Sequence, residues 1–211
     1  MGLIKHLTTG GKIMDKVKLT IVFYSMTGTN FQLAKWAQEA ALEAGAEVRL
    51  RKVKELAPIE VVESVPAWKA NYEAMADIPE ATLDDLVWAD AFIFSTPTRY
   101  GNMAAQMRQF LDTTGPVWSQ GHLSNKPMTA MTSAGNMHGG QESTLLSLYN
   151  TMYHWGAYII PPGYTDESIS KAGGNPYGTS MTVGQDGVAE NVKPAVIHQT
   201  KRVLDVAKKL K

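Results

Sequence analysis

The chain has 211 residues, 44% hydrophobic and 19% charged, a composition that suits one folded domain and excludes a disordered protein. Its 20 basic residues balance 20 acidic ones, so the basic excess of a nucleic-acid-binding surface is missing and no nucleic-acid partner is expected. The absence of cysteine excludes disulfides, thiolate nucleophiles and thiolate metal sites, and favours a reducing compartment such as the cytoplasm. No metal site is predicted.

Residues 1–14 are predicted to be an N-terminal extension, separate from a single domain that spans residues 15–211. Basic residues interrupt its apolar pieces, so it lacks the continuous apolar core of a signal peptide. Two interpretations stay open: the natural start is Met14, or residues 1–13 form a loosely held arm. No apolar run approaches the roughly 18 residues of a membrane helix, so membrane insertion is not expected.

Strands and helices alternate along the rest of the chain, which predicts a doubly wound parallel sheet of five strands. The first strand is predicted from a short, apolar, β-branched run at 17–24, and the second from an imperfect alternation of apolar residues at 47–53. Three further strands are predicted at 91–96, 127–134 and 157–160. Helices are predicted at 31–42, 103–113, 141–156 and 192–210, and a short helix or turn at 84–89. We expect the third strand to end before Pro97, because proline cannot donate a hydrogen bond to a ladder.

Two stretches, 59–82 and 169–190, do not fit this alternation and are predicted to be packed loops. The first is polar, aromatic and low in periodicity, and it contains Trp68, Tyr72 and Met75, whereas the second is rich in glycine. Loops of this length are uncommon in compact domains and are usually functional or disordered. Aromatic residues in both favour packing, for example at a subunit interface.

The loop after the first strand is a candidate phosphate site. It consists of Ser25, Met26, Thr27, Gly28, Thr29 and Asn30. Its hydroxyls, the asparagine amide, free backbone N–H groups and the positive end of the next helix can surround a phosphate. Neither the dinucleotide fingerprint nor the Walker motif is present, which favours a monophosphate over a pyrophosphate or a triphosphate. A polar turn that caps a helix has the same composition, so both interpretations stay open for this loop alone.

Two further loops are expected at the same edge of the sheet. The loop after the third strand consists of Pro97, Thr98, Arg99, Tyr100, Gly101 and Asn102. Its backbone amides can follow a flat ring, on which Tyr100 can stack while Arg99 places positive charge beside it. The loop after the fourth strand includes Ser133, Ala134, Gly135, Asn136, Met137 and His138. Its small residues allow close backbone approach to a ligand, and ligands of doubly wound sheets bind at this edge.

Several longer motifs lie further along the chain: 96–103 (TPTRYGNM), 106–108 (QMR), 110–112 (FLD), Thr114-Gly115, Trp118, 139–142 (GGQE) and 173–178 (GGNPYG). These motifs resemble the WrbA family, and residues 25–28 also resemble the phosphate loop of flavodoxins. Together with the first strand and its loop they extend from about Lys18 to Gly187. The family consists of FMN-dependent NAD(P)H:quinone oxidoreductases, usually tetrameric.

The resemblance implies an α/β, flavodoxin-like fold with strand order 2-1-3-4-5 and helices on both faces of the sheet. It implies FMN held by the three loops, and two-electron reduction of quinones by NADH or NADPH through ping-pong hydride transfer. The flavin would carry the chemistry, and no catalytic side chain is predicted. His154 matches a family histidine that reaches the flavin, and Trp118 matches a residue that lines the quinone pocket. The expected assembly is a homotetramer.

Three positions depart from the family pattern. Thr27 replaces a common aromatic residue that helps to hold the nicotinamide, and Trp155 replaces a second family histidine. The stretch 134–138 is one residue longer than its family counterpart. The alternative function is a flavodoxin-type electron carrier that docks to redox proteins, although flavodoxins are usually strongly acidic. A regulatory binding protein, as the family's older name Trp repressor-binding protein suggests, has no basic face or recognition motif here to support it.

Overall fold

The computed structural model describes residues 15–184 and 189–211. The predicted extension, residues 1–14, and the end of the family match at Gly187 lie outside the described residues. The strands are β1 (Lys18–Phe23), β2 (Glu47–Lys52), β3 (Ala91–Arg99), β4 (Asn102–Met103), β5 (Pro127–Ala134), β6 (Tyr158–Ile159) and β7 (Ser180–Thr182). The helices are α1 (Thr29–Glu43), α2 (Ile59–Ser64), α3 (Pro66–Ala74), α4 (Leu83–Trp88), α5 (Ala105–Asp112), α6 (Gly115–Ser119), α7 (Gln141–Trp155), α8 (Glu167–Lys171) and α9 (Lys193–Leu210). None of the helices in these two ranges is long and apolar enough to cross a membrane.

The sheet has the predicted architecture. Its strand order is β2-β1-β3-β5-β6, and these pairs are parallel. With the strands counted as the sequence predicted them, this is the order 2-1-3-4-5, which confirms the expected flavodoxin-like topology. Successive side chains of a strand point to opposite faces, and each face has its own apolar cluster. Helices α1 and α9 cover one face, and α4, α5 and α7 cover the other.

The outer edge of β5 is shared by two short strands. β6 pairs with Pro127 and Met128 at the start of β5, whereas β7 pairs with Thr132 to Ala134 at its end. Both pairings are parallel, so the fifth strand position is filled in two pieces. Residues 160–179 connect these pieces. The strand predicted at 157–160 is observed as the two residues of β6, because only Tyr158 and Ile159 pair with β5.

The expectation of long loops is wrong for residues 59–82, which contain α2 and α3. These helices have six and nine residues, too few for a clear helical period in the sequence. Pro66 begins α3, a position where its missing N–H costs no helical hydrogen bond. Residues 169–190 also contain regular structure, namely the end of α8 and the whole of β7.

The sequence predicted that the third strand ends before Pro97, but the strand continues to Arg99. The Ser95 carbonyl accepts a hydrogen bond from Tyr24, so alternate residues of β3 turn their backbone groups toward β1. The nitrogen of Pro97 faces this same side, where the pairing with β1 has already ended at Phe23. Its missing N–H therefore removes no hydrogen bond from the ladder.

Candidate functional site

A cleft of about 380 Å³ lies at the carboxyl ends of β1, β3 and β5. Residues from all three predicted loops line it, joined by Val183, which follows β7. The lining residues are Ser25, Met26, Thr27, Thr29, Asn30, Pro97, Thr98, Arg99, Ser133, Ala134, Gly135 and Val183. The structure therefore brings the predicted loops together at one edge of the sheet, while their contacts with FMN stay a prediction.

The first loop presents hydrogen-bond donors that suit a phosphate. Gly28 precedes α1 with φ 101°, a left-handed conformation that favours glycine, and its N–H donates to Ser25 Oγ at 3.1 Å. The first helical turn leaves N–H groups without intrahelical acceptors at the positive end of the helix dipole. Thr27 and Thr29, whose side chains carry hydroxyl donors, line the cleft. These donors fit a monophosphate held mainly by neutral groups.

Asn30 has a different role from the one predicted for its amide. Its side chain is buried (the residue is 1% exposed), its Nδ2 donates to Ser95 Oγ at 3.0 Å, and its Oδ1 accepts from Ser133 Oγ at 2.6 Å. These bonds connect the start of α1 with β3 and β5. The amide is thus engaged inside the protein, and the Asn30 backbone N–H is the group left for a ligand.

The second loop is a tight hairpin between β3 and β4. Its turn residues, Tyr100 and Gly101, have φ values of 53° and 78°, which is the pattern of a two-residue type I′ turn. The side chain of Tyr100 is fully exposed at the tip. Tyr100, Gly101 and Asn102 therefore lie outside the cleft of their own chain, whereas Pro97, Thr98 and Arg99 line it.

Thr98 holds the second and third loops against each other. Its Oγ1 donates to the Gly139 carbonyl at 3.1 Å and accepts from the Gly101 N–H at 3.2 Å and from Thr144 Oγ1 at 2.8 Å. The two backbones also touch, because a Cβ at Gly140 would lie 2.6 Å from Gly101 Cα. These contacts make one wall of the cleft rigid.

Arg99 supplies the positive charge of the cleft. Its Nη1 donates to the Thr98 carbonyl at 2.9 Å, and its Nη2 lies 3.4 Å from Met26 Sδ in the first loop. Among the described residues that line the cleft, it is the only one with a formal charge. A bound anion or an electron-rich ring would therefore find its strongest electrostatic partner in this guanidinium group.

The third loop separates two cavities. Ser133, Ala134 and Gly135 face the cleft, and Asn136 then forms a turn in which its Oδ1 accepts from the His138 N–H at 2.9 Å. Met137 and His138 line a second cavity of about 510 Å³ beside the start of α7 and Gly173 to Asn175. Met137 and His138, which were predicted to contact the flavin, therefore do not line the cleft of their own chain.

His154 and Trp118 lie together, but far from the cleft. His154 is nearly four turns along α7 from Gln141, about 20 Å at the helical rise of 1.5 Å per residue. Trp118 Nε1 donates to the His154 carbonyl at 2.8 Å, and both residues are exposed, Trp118 by 50%. A single chain therefore does not bring these two predicted contacts to its own cleft.

The sequence did not reveal a polar cluster beneath the first loop. Glu55 accepts hydrogen bonds from the Tyr24 hydroxyl at 3.0 Å, from Trp68 Nε1 at 3.2 Å and from Gln106 Nε2 at 2.7 Å. Burial raises the pKa of the Tyr24 hydroxyl, and the negative charge of Glu55 raises it further. Tyr24 therefore stays protonated and donates to Glu55, which fixes the end of β1 where the loop begins.

A second missed residue contacts the first loop directly. Asn71, on α3, donates through Nδ2 to the Ser25 carbonyl at 2.8 Å and to the Met26 carbonyl at 3.2 Å. A polar residue in a stretch without a regular pattern gives no sequence signal for such contacts. Val183 gave none either, since it follows a short strand in a glycine-rich region.

Comparison with known proteins places this arrangement among flavin enzymes. The sequence model of the family described as NADPH-dependent FMN reductase matches residues 19–168. A protein of Deinococcus radiodurans named NAD(P)H dehydrogenase (quinone) is 56% identical over 194 residues, which cover 92% of this chain and 97% of that protein. A protein of the same name from Geotalea uraniireducens is 42% identical over 205 residues, with 92% and 99% covered.

Solved structures share the fold. A flavodoxin-like, WrbA-like protein from Agrobacterium tumefaciens has a TM-score of 0.65 at 19% identity, and the match covers 93% of this chain and all of that one. The flavodoxin of Megasphaera elsdenii has a TM-score of 0.56 at 16% identity, with 89% and 98% covered. At these identities the likeness establishes the fold.

Proposed function

The chain belongs to the NADPH-dependent FMN reductase family, and within it to the WrbA family, and from this membership we propose that it is an FMN-dependent NAD(P)H:quinone oxidoreductase. The observation that carries the proposal is the convergence of three loops from β1, β3 and β5 on one cleft. Ligands of doubly wound sheets bind at this edge. The donors of the first loop suit the single phosphate of FMN, and they include no lysine or arginine.

FMN, when bound, supplies two-electron chemistry through its ring system. The chain's own residues bind and orient it. We infer that the hydroxyls of Thr27 and Thr29 and the N–H groups of the first turn of α1 hold the phosphate. Arg99 places its charge beside the ring, where it stabilises negative charge. The wall held by Thr98 keeps the second and third loops in fixed positions during the reaction.

The substrates are NADH or NADPH and a quinone. A ping-pong order, with the nicotinamide leaving before the quinone binds, is proposed from the family resemblance. Thr27 offers a small polar side chain where the family commonly has an aromatic one. We therefore expect weaker contact with the nicotinamide at this position, so that binding depends more on the remaining walls of the cleft.

We also propose that the protein works as a homotetramer in which His154 and Trp118 reach the cleft of a neighbouring subunit. The family resemblance gives both residues a place near the flavin, and about 20 Å of helix separates His154 from the start of α7. Both are exposed in the single chain, as are Tyr100, Tyr153 and Met137. Light scattering gives the mass of the assembly, and a monomer with full activity would contradict this proposal. Cytoplasmic location stays a prediction, which cell fractionation tests.

The activity test uses purified protein loaded with FMN, with NADH or NADPH as donor and benzoquinone as acceptor. We expect rapid nicotinamide oxidation that depends on the quinone, and parallel double-reciprocal plots at several quinone concentrations. Arg99→Met should lower kcat/KM, whereas the exposed Lys208→Met on α9 is the matched control and should not. If the flavin-loaded protein oxidises neither nicotinamide, the reductase proposal is wrong and the electron-carrier alternative gains support.

A further inference from the structure

Helix α3 lies beneath the first loop and packs one face against the domain. The inward face carries Trp68 and Asn71, Met75 follows directly after the helix, and all three are at least nine-tenths buried. Trp68 is held by Glu55 through its ring N–H at 3.2 Å. Asn71 is the polar residue in the middle of this otherwise apolar face, and a buried amide of this kind needs specific partners.

Asn71 contacts two consecutive carbonyls of the loop, and its Nδ2 also lies 3.7 Å from Met75 Sδ. Its Nδ2 donates to the Ser25 carbonyl at 2.8 Å and to the Met26 carbonyl at 3.2 Å. Its Oδ1 lies on the other side of the amide, 3.5 Å from the position that a Cβ on Gly28 would occupy. The amide therefore contacts the loop from Ser25 to Gly28 and restricts the backbone of this segment.

A planar trans peptide converts this contact into a constraint on the N–H groups. In each peptide unit the N–H points opposite to the C=O. Carbonyls held toward Asn71 thus turn the N–H groups of Met26 and Thr27 to the side of the loop away from α3. Asn71 does not line the cleft, whereas Met26 and Thr27 do.

We propose that Asn71 is a positioning residue for FMN, which orients the phosphate loop by hydrogen bonding to the Ser25 and Met26 carbonyls. This inference rests on the proposed function, because it assumes that the loop holds the phosphate of a flavin nucleotide. Without Asn71 the two carbonyls lose their donor, and either peptide can rotate its N–H away from the phosphate. The hydrogen bonds of Asn71 go to the first loop and to Met75, and not to the loops after β3 and β5 that are predicted to bind the ring.

The test compares two ligands that differ by the phosphate alone. Apoprotein of the wild type and of Asn71→Leu, an apolar replacement with the same branched shape, is titrated with FMN and with riboflavin, and binding is followed by flavin fluorescence. We expect the Kd for FMN to rise about tenfold or more, because one or two hydrogen bonds are lost. The Kd for riboflavin should change less than about twofold. Asn71→Ala, which removes the donor without adding bulk, repeats the measurement should the leucine variant not fold.

The control variant is Thr82→Ala, which removes the hydroxyl that caps α4 outside the cleft. It lowers stability without touching the loop, so its ratio of riboflavin to FMN affinity should equal that of the wild type. An unchanged ratio in the Asn71 variants, whether both affinities fall equally or neither falls, overturns the inference. Wild-type protein that binds no FMN would instead refute the proposed function itself.

Discussion

Replacement of Asn30 tests whether its buried amide holds the three loop-bearing elements together. Asn30→Ala removes the bonds to Ser95 and Ser133, at 3.0 and 2.6 Å, and leaves the buried Ser133 hydroxyl without its acceptor. A typical hydrogen bond contributes about 1 kcal/mol, and a buried group left unpaired costs about 1–3 kcal/mol. We therefore expect Asn30→Ala to lower the free energy of unfolding by about 3 kcal/mol. Ser133→Ala, which breaks one of these bonds, should lower it by about 2 kcal/mol.

The double variant distinguishes a direct bond from two independent contributions. Because the Asn30–Ser133 bond can be lost only once, the combined loss should fall short of additivity by about 1–2 kcal/mol. The assay is urea unfolding of the FMN-free protein, followed by circular dichroism. The control pairs Asn30→Ala with Thr82→Ala, which share no partner and should add within about 0.5 kcal/mol. Additivity in the Asn30–Ser133 cycle would refute the reasoning.

Three further outcomes are expected. Gly140→Ala combines a left-handed φ of 84° with a Cβ 2.6 Å from Gly101 Cα, so it should lower the free energy of unfolding by about 2 kcal/mol or more. Gly173→Ala, with φ 104° and open space around the new Cβ, should lower it by about 1 kcal/mol. Thermal unfolding compares the two variants. Burial lowers the pKa of Lys126 from 10.5 to about 8, so the folded protein loses this proton first as the pH rises. The free energy of unfolding should therefore increase between about pH 8 and 10, by only about 1 kcal/mol because solvent screens the part-exposed amine. Urea unfolding of Lys126→Met should not show this increase. FMN at a hundred times its Kd should stabilise the protein by about 2.7 kcal/mol, visible as a rise in Tm, and no rise at any FMN concentration would contradict the cofactor assignment.

The sheet could be predicted from the sequence because its strands are buried on both faces. Such strands are nearly continuous apolar runs, as in β1 and the first half of β3, and the helices between them fix the parallel direction. The position of the site followed from the same pattern, since parallel strands end at one edge. Helices α2 and α3 were missed because each is too short to show a period and is stabilised by packing.

The roles of individual site residues depended on contacts that are distant in the chain. Asn30 bonds to Ser133, 103 residues away, and this pairing removes the Asn30 amide from the set of free donors. Tyr100 lies at the tip of a hairpin with positive φ values, where its side chain is fully exposed in the single chain, and its stacking on a ring stays a prediction. Asn71 reaches back 45 and 46 residues to the carbonyls of the first loop. No local pattern of residue types reports partners of this kind.

The two-piece outer edge of the sheet, formed by β6 and β7, also bears on aggregation. A long unpaired edge strand offers a row of backbone donors and acceptors to which another chain can add. Here the described edge beside β5 consists of strands of two and three residues. The opposite edge, β2, reads Glu-Val-Arg-Leu-Arg-Lys, and its charges oppose the same pairing. Because β6 and β7 each hold their own register, residues 160–179 between them can change in length or sequence in related chains while the sheet stays intact.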